Sequence, residues 1–151
     1  MKAFTILSLA TSLVAAARPG LSNVPSENVD IRNFNLQKTV VDGHTVFNFV
    51  SFVLEGANKV PAVCRAVNLD FGDQFENNNG VFQCDDGGNH FTFGIHPGAT
   101  HDTIKLSIYH QLRPAVHYTG SGDILLNCVP VPTAQDQYRC SQANQNTIVI
   151  Q

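Results

Sequence analysis

Apolar residues in this chain recur with a period of two, the spacing that sends successive side chains to opposite faces of a β-strand. In DTIKLSIYHQLR (residues 102–113), Ile104, Leu106, Ile108 and Leu112 alternate with Thr103, Lys105, Ser107, Tyr109, Gln111 and Arg113. One face is therefore expected inside and the other in water. His110 falls on the inward face and reads as a hydrogen-bonded rim or core histidine. In VDIRNFNL (29–36) the apolar phase slips at Asn33, between Ile31 and Phe34, which predicts a bulge. TVFNFVSFVL (45–54) is apolar at nearly every position, as in a strand buried on one face and covered on the other. Phe47, Phe49 and Phe52 cannot all point to one side, so an outward aromatic is expected beneath a loop, a ligand or a second subunit. VPAVCRAVNLDF (60–71) predicts a strand in which Pro61 is restricted to an edge or the start.

Further on, Asn79-Gly80 predicts a turn before a strand over 81–84, and Gly120-Ser121-Gly122 predicts one before DILLNCV. NTIVIQ closes the chain as a short strand. No stretch sustains three turns of helical amphipathicity, and no internal repeat is present. Short strands, seven prolines and eleven glycines predict an all-β fold, an antiparallel barrel or barrel-like sandwich.

The chain begins with Lys2, an apolar run over 3–14 and three alanines, the pattern of a secretory signal cleaved after Ala17. The run is too short to span a membrane. Residues 1–17 are thus expected to be removed, leaving 18–151 as a single secreted, extracellular domain. Loss of Lys2 reduces the 9 basic residues to 8 against 12 acidic, so the net charge moves from −3 to −4. That balance argues against nucleic-acid binding through a broad basic field. In an oxidising compartment Cys64, Cys84, Cys128 and Cys140 predict two disulfides. Three pairings exist. The sequential one, Cys64 with Cys84 and Cys128 with Cys140, is favoured because each bond then closes a short segment across neighbouring strands.

The order of IRNF, VCRA, VFQCDDGGNHFTFGI, TIKLSI and NCVPVPTAQDQYRCSQANQNTIVI resembles the Alternaria major allergen family of small secreted fungal proteins. The resemblance covers almost the whole mature chain. It rests most on Cys84 followed by a polar turn and the Phe91-x-Phe93 strand, and on the Cys128-x11-Cys140 pair before a final aliphatic strand. It implies a β-barrel with sequential disulfides and a non-enzymatic role as allergen, elicitor or effector at the plant surface. It also implies two kinds of partner, a plant defence protein of the thaumatin-like class or a flavonoid-type small ligand. A cysteine near the mature N-terminus joins two subunits in the founding member, but 18–63 here contain none, which leaves a non-covalent homodimer open. The longer interval between Cys64 and Cys84 is most easily placed in GDQFENNNG (72–80), a candidate for divergent partner choice.

Candidate chemistry centres on QCDDGGNHFTFGIH (83–96). Cys84, His90 and His96 would suit zinc, whose thiolate and imidazole ligands converge at about 2.0–2.3 Å. A disulfide removes the thiolate, however, and on one strand the two histidines would stand roughly 20 Å apart at ~3.3 Å per residue. Asp85 and Asp86 with Gly87 and Gly88 read as a turn rather than a paired-carboxylate catalyst. The spaced acid pattern of a calcium loop is missing. His96 and His101, with Asp102, flank a Pro-Gly turn and form the better geometric candidate for a metal, although a solvated hairpin end is the plainer reading. No cofactor is expected.

A fungal ribonuclease is the alternative, needing a Glu base, a His acid and an Arg or Lys for the phosphate. Of its three glutamates, Glu27 is expected ahead of the fold, Glu55 at a strand end and Glu76 in a loop, none in a strand with a His or Arg alternating beside it. No G-x-S-x-G motif is present. A binding surface is expected instead on Lys105, Ser107, Tyr109, Arg113, His117 and Tyr118, an aromatic and cationic set of the kind that anchors interfaces.

Overall fold

The computed structural model describes residues 25–70, 80–85, 88 and 90–151. The expected leader over 1–17 and all but Gly80 of the 72–80 loop lie outside the described residues. Among the described residues every regular element is a strand: β1 (Glu27–Val41), β2 (His44–Glu55), β3 (Pro61–Asp70), β4 (Val81–Asp85), β5 (Phe91–Pro97), β6 (Thr103–Arg113), β7 (Val116–Pro130), β8 (Gln137–Gln142) and β9 (Asn146–Ile150). They form one antiparallel sheet in the order β2-β3-β4-β5-β6-β7-β8-β1-β9, and pairing of β1 with β2 closes eight of them into a ring. The all-β expectation holds, though the ring is not a regular barrel. Two long strands change partner part-way along, which makes the closure uneven.

The first change occurs in β1, which pairs with β9 over its first five residues and with β8 from Asn35 to Thr39. Between them the register against β2 shifts at Arg32/Asn35, and Asn33 is left-handed with φ 53°. This is the bulge that the phase slip predicts. Gln142 stabilises it, because its Oε1 accepts the Phe34 N–H at 2.9 Å and its Nε2 donates to the carbonyls of Ile31 and Asn144. A second bulge, between Gln37 and Lys38 opposite Phe49 and Phe47, turns Phe49 outward while Phe47 and Phe52 remain buried.

The second change occurs in β7, which pairs with β6 as far as Leu125 and with β8 from Leu126. Here the expectation of a turn at Gly120–Gly122 is corrected, because the three residues lie within a continuous strand. The glycines answer a packing need. A Cβ on Gly120 would lie 2.3 Å from the carbonyl oxygen of Val149, and one on Gly122 would lie 3.0 Å from Ile148 Cγ1. Strand β9 crosses the ring at this point, tied to β7 by two Thr119–Gln151 backbone bonds of 3.1 Å.

Inside the ring, Phe34 stacks on Phe52 with centroids 5.2 Å apart, Phe52 meets Phe93 edge-on at 4.8 Å, and Phe82 lies 5.5 Å from Phe93. Aromatic contacts thus join β1, β2, β5 and β4, each adding about 0.5–1.5 kcal/mol beyond its burial. Ile104, Leu106 and Ile108 complete the wall as alternation requires. Leu112 departs from it. The register shifts between Gln111 and Arg113, and Leu112 is left 43% exposed.

The disulfides are Cys64–Cys84 between β3 and β4 and Cys128–Cys140 between β7 and β8. Each joins directly opposed residues. Strand β4 is only five residues long and pairs with β3 at just two positions, one of which carries the disulfide.

Candidate functional site

In the 83–96 segment, Cys84 is bonded to Cys64, Asp85 ends β4, and Gly88 has the positive φ of a turn, 106°. Asp86, Gly87 and Asn89 lie outside the described residues. Phe91, Phe93 and Ile95 are fully buried. His90 corrects the expectation of a strand over 90–96, because it is left-handed at φ 56° and precedes β5. Its side chain is therefore not held in the alternation that carries Thr92 and His96.

His96 is registered against Lys105, and Pro97 against Ile104. His101 lies beyond that register in the turn, where Gly98 and Thr100 bond to Thr103. Its ring meets Tyr138 of β8 edge-on at 5.2 Å, and its Nδ1 lies 3.1 Å from Asp102 Oδ1. Among the described residues no three His, Cys, Asp or Glu side chains are grouped as metal ligands.

Lys38 is a feature that sequence pattern missed. It is buried in β1, and its Nζ donates to the His101 carbonyl with the Tyr138 ring 5.9 Å away. Burial lowers its pKa from the usual lysine range, an effect that the charge of Asp102 partly opposes.

The expected binding surface divides in two. On the outer face of β6, Lys105 and Tyr109 follow the alternation, with Tyr109 opposite Thr119 and Gln111 opposite His117 of β7. A depression of about 350 Å³ lies there, lined by Val81, His90, Thr92, Tyr109, Gln111 and His117. Arg113 stands at the end of β6 beyond the bulge, opposite Val116. Tyr118 belongs elsewhere. Adjacent strand residues face opposite ways, so Tyr118 packs against the core while His117 is exposed.

Tyr118 instead borders a cavity of about 380 Å³ whose floor is a buried pair, Glu27 and His110. Glu27 Oε2 lies 2.6 Å from His110 Nδ1, and its Oε1 accepts the Ala57 N–H at 2.8 Å. The imidazole stacks on Phe91 with centroids 3.9 Å apart. Gly56 makes room for the carboxylate, since a Cβ there would lie 2.2 Å from Glu27 Oε1. The expectation that Glu27 lies ahead of the fold is thus overturned, and the histidine it meets comes from a different strand. Its signal was present in the pattern. Glu27 is in phase with Val29 and Ile31, so the inward face of β1 begins one alternation earlier than its first apolar residue. Glu55, by contrast, is held at the surface by Arg32 at 3.0 Å and Lys59 at 3.4 Å.

Comparison with known proteins agrees with this architecture. The chain is 32% identical over 146 residues to the effector protein PevD1 of Verticillium dahliae, covering 93% of this chain and 85% of that one. It is similar in fold to the crystal structure of Alternaria alternata allergen Alt a 1, with TM-score 0.63 at 12% identity over 89% of this chain and 95% of that one. A second crystal structure of the same allergen gives TM-score 0.60 at 13% identity, over 82% of this chain and 92% of that one. The sequence model of the family described as Alternaria alternata allergen 1 matches residues 31–147, and the chain belongs to that family.

Proposed function

We propose that this protein is a secreted, extracellular effector or allergen that acts by binding a host component rather than by catalysis. Membership of an allergen family and 32% identity to a fungal effector support the class. The single observation that carries the binding reading is the outer-face depression, in which Tyr109 and His117 stand on adjacent paired strands with His90 at one side. Aromatic and imidazole groups on a rigid sheet supply contact area at low entropic cost, and Lys105 and Arg113 supply charge at the margins. The partner we propose is a plant defence protein of the thaumatin-like class.

Titration of a purified thaumatin-like protein against the mature chain tests this, with Tyr109→Ala and His117→Ala as variants. Saturable binding weakened about tenfold or more by either substitution supports the reading, in line with truncation of an interface hot spot. Unchanged affinity in both variants moves the interface elsewhere. Binding only of a flavonoid-type ligand in this depression replaces the protein partner.

The Glu27–His110 contact keeps the ribonuclease alternative open to measurement. It supplies a carboxylate and an imidazole, but among the described residues no Arg or Lys lines their cavity to hold a phosphate. Turnover of RNA by the purified chain, lost in Glu27→Gln, would establish it.

A further inference from the structure

We infer that the cavity above Glu27 and His110 is a binding site for a neutral carbohydrate of one or two sugar rings. This cavity shares His90 and Gln111 with the outer depression, but the Glu27–His110 pair, Ser26, Leu112 and Tyr118 line it alone, and the inference is drawn from those.

The floor is a built polar group. Three separate parts of the chain hold it: Glu27 from the start of β1, the Ala57 N–H after β2, and His110 from β6. Glu27 occupies Nδ1 of His110, so Nε2 is the ring nitrogen left over, an acceptor in the neutral ring and a donor in the charged one. The His110 side chain is only 7% exposed, and among the described residues it has no other hydrogen-bond partner. A buried ring nitrogen on a cavity wall with no partner among the described residues calls for a hydroxyl or water, which can either donate to it or accept from it.

Charge narrows the ligand. Among the described lining residues Glu27 is the one carboxylate, both of its oxygens are engaged, and no Arg or Lys stands with it. An anion would lack a fixed counter-charge, and a cation would have to compete with His110 and Ala57 for the carboxylate. A neutral molecule meets neither cost.

Shape and chemistry narrow it further. Ser26, Gln111 and Tyr118, which carry a hydroxyl, a carboxamide and a phenol, line the same space, and none has a side-chain hydrogen bond among the described residues. Leu112, Ala57 and the Tyr118 ring add apolar surface. A pyranose matches both, with hydroxyls around its edge and C–H groups on its face. The volume, about 380 Å³, lies near the lower end of small-molecule sites, ~300–1,000 Å³, which fits one or two rings and not a polymer. Binding and not hydrolysis is inferred, because glycoside cleavage ordinarily needs two carboxyl groups and the described lining residues include one.

The test follows the ring nitrogens of His110 by NMR in the mature protein while D-glucose, cellobiose, gluconate and a flavonoid are each titrated in. We expect glucose or cellobiose to shift the Nε2 resonance saturably. Tyr118→Phe and Ser26→Ala, which remove one hydroxyl each from the rim, should each weaken binding about fivefold, the effect of one lost hydrogen bond. Leu112→Trp, which fills the mouth from an exposed position, should abolish it, while His117→Ala on the outer face should leave it unchanged. The inference is overturned if neither sugar shifts Nε2, or if sugar binding is indifferent to Leu112→Trp and both hydroxyl deletions. It is equally overturned if gluconate or the flavonoid moves the resonance and neutral sugars do not.

Discussion

The ammonium of Lys38, buried in β1, donates to the backbone carbonyl of His101, 63 residues along the chain in the turn between β5 and β6. The side chain of Tyr138 completes the contact, with Lys38 Nζ over its ring and His101 against its edge. One side chain on the inner wall thereby fixes a surface hairpin that carries Asp102 and, in β5, His96. The tether also explains why His101 is turned toward β8 instead of across the hairpin.

Burial lowers the Lys38 pKa in the folded protein relative to the unfolded chain, so between those two values the unfolded state binds the extra proton. Stability contributed by Lys38 should therefore rise with pH across that alkaline window. Below it the cost of burying the charge is present in full. Urea unfolding of the wild type and Lys38→Met at pH 7 and near pH 10 checks this, with the difference between the two proteins moving in favour of lysine at the higher pH. A difference that is constant, or that moves the other way, would sink the argument.

Gly120 and Gly122 present a contrast within one strand. A methyl group at 120 would run into the Val149 carbonyl oxygen, which is backbone of a strand held by Thr119 and Gln151. At 122 it would meet only side-chain atoms of Ile148. Gly120→Ala should cost about 1–3 kcal/mol, as overpacking of a tight core does. Gly122→Ala should cost less than ~1 kcal/mol, because Ile148 can give way and the unfolded chain loses entropy. Chemical denaturation of the two variants measures the contrast directly.

Strand periodicity made most of this wall legible before any coordinates. The alternation of Ile104, Leu106 and Ile108 and the slip at Asn33 translate directly into burial and bulge, because period-two patterning reports which side of a sheet is wet. What it missed depends on contacts between distant segments. Gly120–Gly122 looks like a turn by composition, and only the passage of β9 across β7 reveals a strand thinned for close approach. His117 and Tyr118, adjacent in sequence, looked like one patch and serve two faces. Phase with Val29 and Ile31 marks Glu27 as inward-facing, but its pairing with His110 joins residues 83 apart, which neither local spacing nor motif could supply. The burial of Lys38 escapes local pattern for the same reason, since its partner carbonyl at His101 is 63 residues away.

The two disulfides close intervals of 20 and 12 residues. By the loop-entropy argument, replacing either pair with alanines should cost about 3 kcal/mol, with the 64–84 pair slightly the more costly. The packing context adds to the same ordering. Strand β4 pairs with β3 at only two positions, whereas β7 and β8 share five. Cys64→Ala/Cys84→Ala should therefore loosen the β3–β4 junction, seen as faster amide exchange in β4, while Cys128→Ala/Cys140→Ala should leave exchange in β4 unchanged.

Gly56 and Glu27 should be coupled through space rather than through sequence. A side chain at 56 must displace the Glu27 carboxylate, 2.2 Å from where its Cβ would lie, and would also come within 3.2 Å of Phe91 Cζ. Displacement breaks the bonds to Ala57 and His110 and leaves a buried carboxylate and imidazole with fewer partners, a loss of about 1–3 kcal/mol. In a Glu27→Ala background that conflict is gone, and only the weaker contact with Phe91 remains. Gly56→Ala should therefore destabilise the wild type by more than it destabilises Glu27→Ala, with a coupling of at least ~1 kcal/mol in a double-mutant cycle. Additive losses would mean that Gly56 serves the backbone of the β2–β3 connection alone, and that the carboxylate reaches His110 without needing the space a glycine leaves.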